Sequence, residues 1–183
     1  MMIETKRLKL KLISKEDAEK IVLWRNKKRI IDSLFNSKGL TIDQHLRWYD
    51  RYINDDSRIE FVITKKEDNK RVGTIGLSHI DNINQKAEYG ILIGEEEELG
   101  KGYAKESTIA IINYGFNELN LKKIYLNVFK DNMKAISLYE KIGFIEEGIF
   151  NKEIFKNGEF KDIVRMAIFR KDIINEKENS YKD

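Results

Sequence analysis

The sequence has no cysteine, no proline and only two histidines, His45 and His79, in 183 residues. Without cysteine it can have no disulfides, thiolate metal ligands or cysteine nucleophile. Two histidines 34 positions apart make no metal cluster, so no metal is expected. Without proline, the turns fall to glycine, asparagine and aspartate. No window reaches the roughly 18 apolar residues of a membrane span. The opening "MMIETKRLKLKL" lacks an apolar signal core, so the expectation is a cytoplasmic protein with no membrane partner. The formal charge is +3, and lysines are interleaved with acids, which argues against a nucleic-acid groove.

The sequence is 41% hydrophobic and 36% charged, enough to build a buried core under a charged surface. One domain is expected over residues 1–174, with the polar stretch "NEKENSYKD" at 175–183 fraying as a tail. Apolar residues alternate at Leu8, Leu10 and Leu12, the period of a half-buried strand. Ser14, with Asp17 three positions on, opens a helix bearing Ala18, Ile21, Val22 and Trp24. Thr41 and Gln44 form a second capping box ahead of "HLRWYDRYI". "IEFVIT", "RVGTIGLSHI" and "KAEYGILIG" read as three strands. A long helix over 104–119 follows, with Ile109, Ile112 and Phe116 on one stripe. Next come the strand "KIYLNVF", a helix ended by Gly143, and a hairpin turning at Asn157 and Gly158. The order implies an α/β fold with a central sheet.

Chemistry concentrates in "EEEELGKGYAKES", residues 95–107. Gly100, Lys101 and Gly102 lie between a strand and a helix start, where unpaired backbone N–H groups attract an anion. The spacing matches neither the phosphate-loop nor the dinucleotide fingerprint, and an unliganded glycine turn fits it equally well. Lys101 and Lys105 add positive charge, whereas Glu95, Glu96, Glu97 and Glu98 read as a solvated loop edge facing away from the anion.

About thirty residues on, "DNMKAISLYEKIGF" places Asn132, Ala135, Leu138, Tyr139, Lys141, Gly143 and Phe144 in one pattern. Together with "GKGYA", this resembles the GNAT superfamily of acetyl-CoA-dependent N-acetyltransferases over residues 59–170. The resemblance implies a single-domain GNAT fold. Its central mixed, mostly antiparallel sheet would be flanked by helices and splayed between the fourth and fifth strands. It implies acetyl-CoA as co-substrate, with the pyrophosphate on the Leu99, Gly100, Lys101, Gly102, Tyr103, Ala104 and Lys105 turn. The pantetheine arm would lie along Ile91, Leu92 and Ile93, with Asn127, Asn132, Lys134, Ala135 and Tyr139 as further coenzyme contacts. Leu99 departs from the family, which usually has Gln or Arg there.

A protonated amine cannot attack a thioester, so a base must take its proton, and Glu88 is the candidate. A backbone N–H near Ile91 would stabilise the tetrahedral oxyanion, and Tyr139 would protonate the departing thiolate. Each has a plainer reading, Tyr139 as a packing residue and Glu88 as a surface charge on a strand. The family also implies a small-molecule amine acceptor and a homodimer.

Two narrower resemblances compete for the acceptor. "EDAEKIVLWRN" and "LTIDQHLRWYDRYI" look like acetyltransferases of amino-sugar nucleotides, as in pseudaminic acid biosynthesis. "NYGFNELNLKKIYL" and "EIFKNGEFKDIVRMAIF" look like bacterial spermidine N-acetyltransferases. A polycation needs carboxylates, whereas a nucleotide needs cations and an aromatic surface. Residues 24–60 hold eight Lys and Arg against six acids, and "SLFNSKGL" has no carboxylate. The balance favours the amino-sugar nucleotide, with Trp24, Arg25, Asn26, His45, Trp48 and Glu88 as acceptor contacts, although the tryptophans also suit a core. A ribosomal-protein N-terminal acetyltransferase and an inactive acyl-CoA-binding regulator are further readings of the same fold.

Overall fold

The computed structural model describes residues 1–36 and 38–170, so the tail expected at 175–183 lies outside the described residues. Among them are eight strands: β1 (Met2–Glu4), β2 (Leu8–Leu12), β3 (Ile59–Lys65), β4 (Arg71–Asp81), β5 (Lys86–Ile93), β6 (Lys123–Phe129), β7 (Ile145–Lys156) and β8 (Glu159–Phe169). The helices are α1 (Ala18–Arg25), α2 (Lys28–Ser33), α3 (Ile42–Tyr52), α4 (Tyr103–Asn117) and α5 (Met133–Glu140). The strands form a mixed sheet in the order β1-β2-β3-β4-β5-β6-β8-β7. Pairing is antiparallel in β1–β2, β2–β3, β3–β4, β6–β8 and β7–β8, and parallel in β5–β6. The β5–β6 ladder runs from Lys86↔Lys123 to Glu88↔Tyr125, while β5 continues to Ile93. That is the splay expected between these two strands. No helix among the described residues is long and apolar enough to cross a membrane.

Local chemistry explains most element ends. Thr41 caps α3 by accepting from the Gln44 amide, and Gln44 reaches back to complete the box. Gly143 sits at φ +111 after α5, a left-handed conformation in which a Cβ would be strained. Asn157 and Gly158, at φ +53 and +86, make the primed turn that matches the twist of β7 and β8.

The structure departs from the sequence reading in three places. The Ser14–Asp17 box opens a short 3-10 turn, Lys15–Asp17, and α1 begins only after it. β1 and α2 carry no clear signal: β1 is three residues long, and α2 starts at Lys28 with no side-chain cap from Lys27. Ile109 is 41% exposed, whereas Ile111, Ile112 and Phe116 are buried. Ile109 stays within about 60° of Ile112 and about 20° of Phe116 around the helix, so the period holds and its exposure depends on what packs over that turn.

The chain divides into two compact units. The first comprises Met1–His79 with Gly90–Ile111. One cluster of its core joins Ile13, Ile21, Trp24 and Val62, with Trp48, Tyr49, Tyr52 and Leu92 packed against it. Each such large apolar side chain contributes about 1.5–3 kcal/mol by leaving water. The second comprises Ile80–Tyr89 and the chain from Ile112 onward. There Ala87, Phe116, Leu121, Ile124, Leu126, Phe144 and Met166 are buried.

Candidate active site

In the first unit the strand-to-helix turn carries two left-handed glycines. Gly100 and Gly102 adopt φ +76 and +82, and a Cβ on Gly100 would meet nothing within 4 Å. Left-handed backbone and open space together bring the amides at the start of α4 within reach of a ligand. Arg7, which the sequence reading did not single out, braces this turn from the start of β2. Its Nη1 donates to the Lys101 carbonyl at 2.9 Å, and its Nε donates to Glu106 at 2.6 Å. Its guanidinium also lies 4.7 Å from the Tyr103 ring centre. Neighbours far apart in sequence create this brace, so local spacing gave no sign of it.

The acidic run is not a solvated edge throughout. Glu96 and Glu97 are exposed, but Glu95 and Glu98 are 7% and 4% exposed. Glu95 accepts from the Trp24 indole at 3.0 Å and pairs with Lys20 and Lys27. Glu98 accepts from Lys101 at 2.8 Å and from Lys65 and Lys70 at 3.4 Å. The Lys101 hydrogen bond is the largest influence holding the Glu98 carboxyl below its usual range. Buried carboxylates need such partners; Lys101 lies three residues on, whereas Lys20, Lys27, Lys65 and Lys70 come from distant segments. Lys101, expected to add positive charge to the turn, pairs its ammonium with Glu98. Leu99 is half-buried, and Lys105 and Gly102 are exposed.

The expected acceptor residues separate into structural and open groups. Trp24 is fully buried, and its ring fills the space where a side chain at Gly94 would stand. It is a core residue and offers no free aromatic face. Asn26 uses both ends of its amide on the Leu40 backbone, at 2.8 Å each, and so clamps a loop. Arg25 and Trp48 are half-buried, and His45 is 4% exposed. His45 stacks on Trp48 and Trp48 on Tyr52, with ring centres 5.1 Å apart in both pairs. Burial first, and Arg25 second, hold the His45 imidazole below its usual range. On β5, Ile91, Leu92 and Ile93 are half-buried, and the Leu92 carbonyl lies against Gly73 of β4.

The second unit contains the expected catalytic pair and four further expected coenzyme residues. Glu88 accepts from Asn127 Nδ2 at 2.8 Å, and Asn127 Oδ1 accepts from Arg165 Nε at 3.2 Å. The Arg165 guanidinium lies 4.8 Å from the Tyr125 ring centre and 5.1 Å from that of Phe150. Tyr139 meets Tyr89 edge-on at 5.9 Å and Phe144 at 5.7 Å. Burial pushes its hydroxyl up to about 12, so it stays protonated at working pH. Asn132 caps α5 by accepting from the Ala135 amide at 3.3 Å. Ala135 is half-buried and Lys134 exposed.

Residues 7–145 match the Acetyltransferase (GNAT) domain, and the chain belongs to this family. It is an acyltransferase that uses acetyl-CoA as co-substrate to acetylate an amine. Among its relatives is the spermidine N(1)-acetyltransferase of Vibrio cholerae serotype O1, 34% identical over 171 residues, covering 93% of this chain and 98% of the relative. The crystal structure of spermidine N-acetyltransferase from Vibrio cholerae in complex with CoA and spermine is similar with a TM-score of 0.88. It is 33% identical, over 93% of this chain and 100% of that one. A dodecameric structure of that enzyme in an intermediate state has a TM-score of 0.82 at 31% identity, over 94% of this chain and 99% of that one.

Proposed function

We propose that the acceptor is a polyamine of the spermidine type, acetylated directly at a primary amine. The observation that carries this is the 34% identity to a spermidine N(1)-acetyltransferase across 93% of this chain and 98% of that one. The preference drawn from charge balance, for an amino-sugar nucleotide, becomes the second reading. One observation favours it: Arg25 and Arg58 both act on the half-buried carboxylate of Glu60, and the Arg58 guanidinium lies 5.9 Å from the Trp48 ring centre. Two cations and an aromatic ring suit a nucleotide better than a polycation.

In either reading the amides from Gly100 to Ala104 hold the coenzyme pyrophosphate, and Gly90 to Ile93 of β5 offer backbone to the pantetheine arm. Tyr139 donates to the thiolate as the C–S bond breaks. Glu88, tied to Asn127, is one carboxylate that can take the acceptor's proton. Self-association is part of this proposal. β7 ends the strand order, and it exposes Ile145, Ile149 and Phe155. Sedimentation of the purified protein should show an oligomer, and a monomer at all concentrations would remove this part.

Free-thiol release with spermidine, a 4-amino-sugar nucleotide and an N-terminal peptide, each with acetyl-CoA, tests the acceptor. Spermidine should give the highest kcat/KM. A clear preference for the sugar nucleotide would replace the first reading by the second.

A further inference from the structure

Glu60 on β3 is paired across the sheet with Gly76 on β4, and its carboxylate occupies the space a side chain at 76 would fill. The Glu60 backbone is fixed from α3, because its N–H donates to the Tyr52 hydroxyl at 3.1 Å. Arg25 at the end of α1 and Arg58 just before β3 are the cations that act on the carboxylate. β4 is the neighbour of β5 in the strand order, so Glu60 stands two strands, or about 10 Å, from the strand whose end segment the pantetheine arm follows. No side chain at Gly76 intervenes. On α3, His45 Nε2 is buried without a hydrogen-bond partner among the described residues, and Arg25 is among the charges acting on that ring. A further polar group is therefore left unmet in the same cluster.

We propose that Glu60 docks the acceptor's ammonium over Gly76 and takes its proton, making it a catalytic carboxylate of the acceptor half. The proposal rests on the acetyl-transfer reading and holds for either acceptor. Burial lifts the Glu60 carboxyl to about 7, with Arg58 and then Arg25 pulling it down, which suits a proton acceptor at neutral pH. The ammonium gives one proton to Glu60, and the neutral amine attacks the thioester carbonyl, forming C–N. The C–S bond then breaks, the nitrogen loses a second proton, and the thiolate is protonated. One proton ends on the coenzyme A thiol and one passes from Glu60 to solvent. Arg25 and Arg58 disfavour a second ammonium beside the first, so one amine is presented at a time.

The test is the pH profile of kcat/KM for thiol release by wild type, Glu60→Gln, Glu60→Asp and Glu88→Gln, with acetyl-CoA affinity measured alongside. Wild type should rise through an acid limb near 7. Glu60→Gln should fall by about 100-fold or more at neutral pH. It should lose that limb and recover only as the acceptor amine deprotonates on its own. Glu60→Asp should keep the limb at a reduced rate, and acetyl-CoA affinity should hold in both. A wild-type profile in Glu60→Gln, or loss of the limb in Glu88→Gln alone, would overturn the proposal while acetyl transfer stands. Failure of wild type to turn over any amine would overturn both.

Discussion

Replacing Glu60 by glutamine should make the protein more stable with rising pH, relative to wild type. Burial lifts this carboxyl from 4.5 to about 7, against the opposing pull of Arg58 and Arg25. A carboxyl whose folded pKa is raised contributes stability below its unfolded value and loses it as pH climbs through the folded value. Glutamine has no charge to bury, so its stability carries no such dependence. A shift from 4.5 to about 7 corresponds to about 3 kcal/mol in full. Most of it, about 2–3 kcal/mol, develops between about pH 5 and about pH 8. In a protein of this size that is a change in Tm difference of about 4–12 °C. Urea melts of both proteins at the two pH values measure it. Comparing the variant-minus-wild-type difference at the two pH values cancels any constant cost of placing an amide there. An unchanged difference would refute the claim that burial controls this carboxyl, and a difference moving against the variant would reverse its sign.

Three further outcomes follow from the geometry. Tyr139→Phe should lower kcat by about 100-fold with little change in KM, read by thiol release; full kcat would exclude the acid role. Trp24→Phe should cost about 1–3 kcal/mol in a urea melt, because the ring is fully buried and its indole bonds Glu95, while the acceptor KM stays put. A large rise in KM would return Trp24 to the acceptor contacts. Gly73→Ala should cost about 1–3 kcal/mol or more, since a Cβ there would overlap the Leu92 carbonyl oxygen. Unchanged stability would show that β4 and β5 can separate at that point.

Alternation at Leu8, Leu10 and Leu12, the Thr41 box, Gly143, and the Asn157–Gly158 turn were all legible in the sequence. Each is a local preference, settled by residues within a turn or a strand of one another. So was the motif from Asn132 to Phe144, whose order and spacing carried the family. The acidic run, Arg7 and Glu60 were not legible, because many of their partners (Lys20, Lys65 and Lys70; Glu106; Arg25 and Gly76) lie far away in the chain. Glu95 and Glu98 look like solvent-facing charges until α1 and the β3–β4 connection bring Lys20, Lys27, Lys65 and Lys70 to them. Trp24 looks like a platform until Gly94 is seen to leave room for its ring. The sequence by itself determined the glycine turn ahead of α4, and the class of reaction. Only the tertiary structure decided which charges are neutralised and that Glu60 stands half-buried beside Arg58 and Arg25. Burial and charge pairing depend on which distant segments meet, and no local pattern records that.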